Sequence, residues 1–143
     1  MSRRSLLPLL LFVLAGCQLP EDRAALRPLP EGAPPLPYAE LLTRARQQAS
    51  AATNAFYVSN WTELEDVAKA LEQTARFLGR ATDIPDKLKD RLPGMATNLG
   101  KDAEKLKEAA APPKEKDKER EIKQITDLLT SINSRIREMR LED

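Results

Sequence analysis

Residues 61–78 read Trp61-Thr62-Glu63-Leu64-Glu65-Asp66-Val67-Ala68-Lys69-Ala70-Leu71-Glu72-Gln73-Thr74-Ala75-Arg76-Phe77-Leu78. Trp61, Leu64, Ala68, Leu71, Ala75 and Leu78 are spaced by 3, 4, 3, 4 and 3 residues. Side chains three and four apart share one face of an α-helix, so this spacing draws a single apolar seam with polar residues filling the other faces. A half-buried strand would alternate with period two, and no segment of the chain does so.

The same seam recurs on both sides. Tyr38, Leu42, Ala45, Ala49, Ala52 and Phe56 precede it; Leu88, Leu92, Met95, Leu99, Ala103, Leu106 and Ala110 follow, then Ile122, Ile125, Leu129, Ile132, Ile136 and Met139. The spacing predicts helices over about 38–58, 61–79, 84–111 and 116–140. Asn60 is placed to cap the second helix with Glu63 as its capping-box partner. Gly79 stands where a left-handed terminal residue ends a helix. Asp83 before Ile84-Pro85 reads as the cap of the third helix. Pro93-Gly94 should kink or split that helix, and Pro112-Pro113 stop it. Short connections make successive helices antiparallel neighbours, so the predicted fold is an all-α, up-down-up-down four-helix bundle over about 38–140. A longer coiled-coil oligomer is the rival architecture, disfavoured by the proline breaks.

Upstream of the bundle, residues 18–37 hold Pro20, Pro28, Pro30, Pro34, Pro35 and Pro37. Proline fixes φ and lacks an N–H, so the stretch predicts an extended, core-free stand-off tether. Before it, Arg3 and Arg4 lead into the apolar run 6–14 and then Leu14-Ala15-Gly16-Cys17, which contains the one cysteine of the chain. This n-region, h-region and small-residue order is that of a secretory signal, and the run is too short to span a bilayer.

The four residues Leu14, Ala15, Gly16 and Cys17 resemble the lipobox of a bacterial lipoprotein. The resemblance implies that the signal peptide 1–16 is removed, with Leu14, Ala15 and Gly16 as the signal-peptidase recognition residues. It also implies that Cys17 receives the lipid, with palmitate-type acyl chains. The mature chain would then begin with 17–37, the lipidated cysteine and its tether. It would be exported and held on a membrane through Cys17. The apolar h-region favours the general secretory route over the twin-arginine one that Arg3-Arg4 faintly resembles. Gln18, where an aspartate would retain such a protein in the inner membrane, favours the outer membrane facing the periplasm.

Composition narrows the function. Removing residues 1–16 takes two of the 23 basic residues and leaves 21 against 22 acidic ones. A near-neutral chain of interleaved signs has no electrostatic footprint for nucleic acid. Histidine is absent, which removes the commonest general base and metal ligand and the Ser-His-Asp and Cys-His constellations. No cofactor, metal site or catalytic residue is expected. Glu63, Glu65, Asp66 and Glu72 read as a solvated helix face.

The bundle layout is similar to cytochrome c′-type four-helix bundles in length, helix order and an alanine-rich first helix. Where that family carries its haem-attachment motif this chain has Ile132-Asn133-Ser134-Arg135-Ile136-Arg137, so the likeness implies architecture without haem. Small helical lipoproteins that join outer membrane to cell wall also compare, but their C-terminal lysine is replaced here by Arg140-Leu141-Glu142-Asp143.

The functional expectation is a non-enzymatic, lipid-anchored interaction or structural module of the cell envelope, with an envelope protein or the cell wall as partner. The alternative is a small-ligand-binding bundle using space beside the alanine seam; a carboxylate-based enzyme is third. Phe56, Tyr57, Trp61 and Phe77 are the candidate contact or ligand site, because aromatic residues concentrate binding energy at interfaces.

Overall fold

The computed structural model describes residues 24–140. Four helices carry the fold: α1 (Tyr38–Tyr57), α2 (Trp61–Leu78), α3 (Leu92–Ala109) and α4 (Lys118–Met139). Each packs against its neighbours in chain order, and α4 returns to α1, so an up-down-up-down bundle closes on itself; α1 and α4 are the least closely packed neighbouring pair.

The core is a column of leucine and isoleucine. Leu41, Leu64, Leu71, Leu78, Leu88, Leu92, Leu99, Leu106, Ile125, Ile132 and Met139 are completely buried. Each such side chain contributes roughly 1.5–3 kcal/mol relative to an exposed one. The alanines of α1, Ala45, Ala49, Ala52 and Ala55, are buried as well. The buried face of α1 differs from its predicted seam: Leu41, Gln48 and Ala55 are inside as well, while Leu42 and Phe56 are half-buried. A helix between two bundle neighbours needs a stripe wider than a two-position seam, and its centre is set by both partners.

Helix ends show where local chemistry acts. The Asn60 side chain accepts from the Glu63 N–H at 3.2 Å and its amide donates to the Glu63 carboxylate at 2.9 Å. One orphan backbone N–H at the start of α2 is thereby engaged, and the Glu63 carboxylate returns to the Asn60 side chain while the Asn60 N–H donates to Ala55 at 2.8 Å. Gly79 does not take the left-handed conformation expected of it: its φ is −63° and ψ −16°. A Cβ there would meet the Arg76 carbonyl oxygen at 3.4 Å and the Ala96 Cβ of α3 at 4.0 Å, ordinary contact distances. Asp83 does not cap a helix; it holds φ at 55° in the turn before Ile84-Pro85.

The third predicted helix, 84–111 with a kink, is also corrected. A single 3-10 turn, Asp86–Leu88, inserts Leu88 into the core, and α3 begins separately at Leu92 with Pro93 in its first turn. Proline costs nothing there, because the N–H it lacks would have no helical partner. A second 3-10 turn, Glu115–Asp117, leads into α4.

The largest departure is upstream. Residues 24–37 do not stand off from the bundle; they lie along α1 and α2 as a strap. Ala25 is buried, and Leu26, Leu29, Ala33 and Leu36 are half-buried against the core. The prolines prevent a helix but not burial: the leucines and alanines between them supply apolar surface, and side chains of the bundle supply hydrogen bonds. Gln73 accepts from the Leu29 N–H at 2.7 Å and donates to the Leu29 carbonyl at 2.8 Å. Gln48 donates to the Ala25 carbonyl at 2.8 Å. At its end the strap meets the α2–α3 connection, where the Thr82 N–H donates to Leu36 at 3.0 Å and the Tyr38 N–H to Thr82 at 2.8 Å.

Candidate functional site

Cys17 and the recognition residues Leu14, Ala15 and Gly16 lie outside the described residues. Of the four aromatic residues, three come together. Phe56 and Tyr57 end α1, and Trp61 starts α2 after a turn in which Ser59 adopts φ 55°. The Phe56 ring lies 6.1 Å from Trp61 in an edge-on arrangement and 6.0 Å from Tyr57. Phe56 and Trp61 are half-buried and close that end of the core. Tyr57 and the following Val58 are 77% and 72% exposed, an apolar tip carried on a packed base.

Phe77 is not part of this group. It lies sixteen residues along α2, about 24 Å from Trp61 at the helical rise, and is buried. Its ring carries the Arg80 guanidinium 4.4 Å from its centroid. Spacing along a helix could have warned of this, since residues 61 and 77 sit at opposite ends of one 18-residue helix.

Beside the tip, the loosest seam of the bundle opens into a groove of about 380 Å³ between α1 and α4. Phe56 and Tyr57 form one wall; Leu129, Asn133 and Arg137 are among the residues of the other. Its chemistry is mixed: two rings, an amide, hydroxyls and one cation.

Sequence reasoning did not single out Asp102. It is buried on α3, where its Oδ2 accepts from Ser131 at 2.6 Å and from the Arg135 Nε at 2.5 Å, both on α4. The available signal was its position three residues after Leu99, on the edge of the α3 seam. This cluster pins α3 to α4, and a groove of about 490 Å³ opens beside it, lined in part by Asp102, Lys105, Lys123 and Asp127. On the opposite seam, Glu72 of α2 accepts from Lys107 of α3 at 2.9 Å and lies 3.5 Å from Arg76. The Glu72 hydrogen bond holds the Lys107 ammonium above its ordinary range.

Of the four carboxylates read as a solvated helix face, three are individually engaged: Glu63 in the cap, Glu65 with Lys69 at 3.1 Å, and Glu72 with its two cations; Asp66 is exposed. Among the described residues, no group of three or more acidic or cysteine side chains is placed to hold a metal ion. No helix among them is long and apolar enough to cross a membrane. No protein-family model, curated protein or solved structure matches the chain.

Proposed function

We propose that the protein is a lipid-anchored, non-enzymatic module of the bacterial cell envelope. It is exported, cut before Cys17, acylated there, and displayed on the outer membrane toward the periplasm. The observation that carries this reading is Leu14-Ala15-Gly16-Cys17 behind a basic and apolar leader, in a chain with no other cysteine. Acyl chains on one residue suffice for stable attachment when two or three are present.

The bundle supports a contact role. It buries a continuous apolar core along all four helices, and its exposed large apolar residues include the adjacent pair Tyr57 and Val58. Tyr and Val have few rotatable side-chain bonds, so fixing them on docking costs little conformational entropy, which favours this tip as an interface anchor. The partner is an envelope protein or the cell wall. The groove between α1 and α4 is where the alternative, a small-ligand function, would reside.

Two measurements test the reading. Intact mass of the mature protein should show a chain beginning at Cys17 with diacylglycerol-type additions; an unmodified Cys17 refutes the anchor. Crosslinking in intact envelopes should capture partners with the wild type that are lost with Cys17→Ser. A monomer that captures nothing and co-purifies with a small molecule would favour the ligand-binding alternative.

A further inference from the structure

We infer that residues 24–37 form a releasable strap that gives the anchored bundle two working distances from its membrane. The inference rests on the lipid-anchored reading of Cys17.

The docked strap is held chiefly by side chains. One residue of α2, Gln73, engages both backbone groups of Leu29. Two residues of α1 hold carbonyls further upstream: Gln48 donates to Ala25 and the Arg44 guanidinium to Arg27. Backbone pairing with the bundle is confined to the end of the strap, at Leu36 and Thr82. No ladder runs along its length, so lifting it breaks a handful of bonds and leaves the four helices intact.

The clasp is also imperfect where it closes. Among the described residues, the buried side-chain polar atoms without a hydrogen-bond partner are Arg44 Nε and Gln48 Oε1, both on α1 where the strap lies. A polar atom buried without a partner penalises the closed state, and opening returns it to water. Side-chain bonds in place of a backbone ladder, mostly half-buried apolar groups and unmet polar atoms mark a segment that opens below the free energy of global unfolding.

Opening changes the reach of the anchor. With the strap docked, Ala24 lines a shallow surface groove together with Glu40, Thr43 and Arg44 of α1. Cys17 is seven residues upstream, a span of at most about 25 Å whatever path those residues take. With the strap lifted, the free length runs from Cys17 to Tyr38. Those 21 residues reach about 65 Å at the polyproline rise. The prolines serve both states. They keep the lifted segment extended, and their fixed φ reduces the conformational freedom lost when it docks again.

The test uses the full mature protein with its Cys17 mass established, reconstituted in phosphatidylethanolamine/phosphatidylglycerol vesicles that contain an acceptor-labelled lipid. Hydrogen exchange should show the Leu29 amide exchanging at least 10-fold faster than those of Leu71 and Ile132, through an opening insensitive to low urea. Gln73→Ala should raise Leu29 exchange about 10-fold further with unchanged helical circular dichroism. It should also lower energy transfer from a donor placed on Lys105→Cys, because the bundle moves away from the lipid. The double variant Gln48→Ala/Gln73→Ala should do so more strongly. Leu29 exchange that follows global unfolding alone, or energy transfer unchanged in both variants, overturns the proposal. An unmodified Cys17 instead overturns the anchor and with it the two distances, while Leu29 exchange still decides whether the strap lifts.

Discussion

The phenol of Tyr38, the first residue of α1, donates to the carbonyl oxygen of Met139, the last residue of α4, at 2.5 Å. This bond joins two elements 101 residues apart and closes the loosest seam of the bundle at one end. Tyr38→Phe should therefore cost about 1 kcal/mol in urea unfolding. Burial also pushes the Tyr38 phenol above its ordinary value. The folded state then holds this proton more tightly than the unfolded one. The Tyr38 contribution should be fully present and constant below pH about 10 and be lost as pH rises above it, toward the folded-state value. Tyr38→Phe should lack that component of the alkaline loss.

Asp102 is the buried carboxylate that fastens α3 to α4 through Ser131 and Arg135. Asp102→Ala removes the one oxygen that accepts both hydrogen bonds and leaves a partly buried guanidinium without its anion. A loss of about 2 kcal/mol is expected, because the Arg135 side chain keeps some access to water. Ser131→Ala should cost about 1 kcal/mol. Thermal unfolding should show Asp102→Ala melting roughly 10 °C below the wild type.

At the start of α2, Asn60→Ala removes the acceptor for the Glu63 N–H. A destabilisation of about 1 kcal/mol is expected. Chemical denaturation of the two proteins side by side measures it.

Two glycines of α3 should respond in opposite ways to added bulk. A Cβ on Gly94 meets nothing within 4 Å, so Gly94→Ala should stabilise by up to about 1 kcal/mol through helix propensity. At Gly100 a Cβ would already lie 3.5 Å from the Ala75 Cβ of α2. Gly100→Leu should force the two helices apart and cost about 1–3 kcal/mol. Melting temperatures of the two variants should move in opposite directions.

The exposed tip separates contact from stability. Tyr57→Ser with Val58→Ser should leave unfolding free energy within about 0.5 kcal/mol of the wild type, yet abolish partner capture in the envelope crosslinking experiment. Leu71→Ala, in the core, should cost about 2–5 kcal/mol. Capture that survives the double tip variant would place the contact surface elsewhere.

The amphipathic seams, the Asn60 cap and the proline breaks were legible because each depends on residues within one or two turns of each other. The candidate site was legible in part. Phe56, Tyr57 and Trp61 straddle one turn and had to be close, whereas Phe77 shared their chemistry but not their end of the helix. Asp102 was not legible as a fastening point. Its partners Ser131 and Arg135 lie 29 and 33 residues away, so its place on the edge of the α3 seam marked nearness to the core but not what it would fasten.

The strap divides the two kinds of information most clearly. Its prolines forbid a helix, which composition alone establishes, and the proposed export signal and anchor rest likewise on a short, contiguous stretch of sequence. Whether a non-helical segment stands in water or lies on a bundle is a different question. It depends on Gln73, 44 residues from Leu29, and on Gln48, 23 residues from Ala25, presenting amides at the right height on two packed helices. Helix periodicity sets which residues face inward, but the rotation of α1 toward Leu41 and Ala55, and the seat it makes for the strap, follow from packing four helices together. Local sterics act along the chain; burial and hydrogen bonding between distant segments are settled when those segments meet.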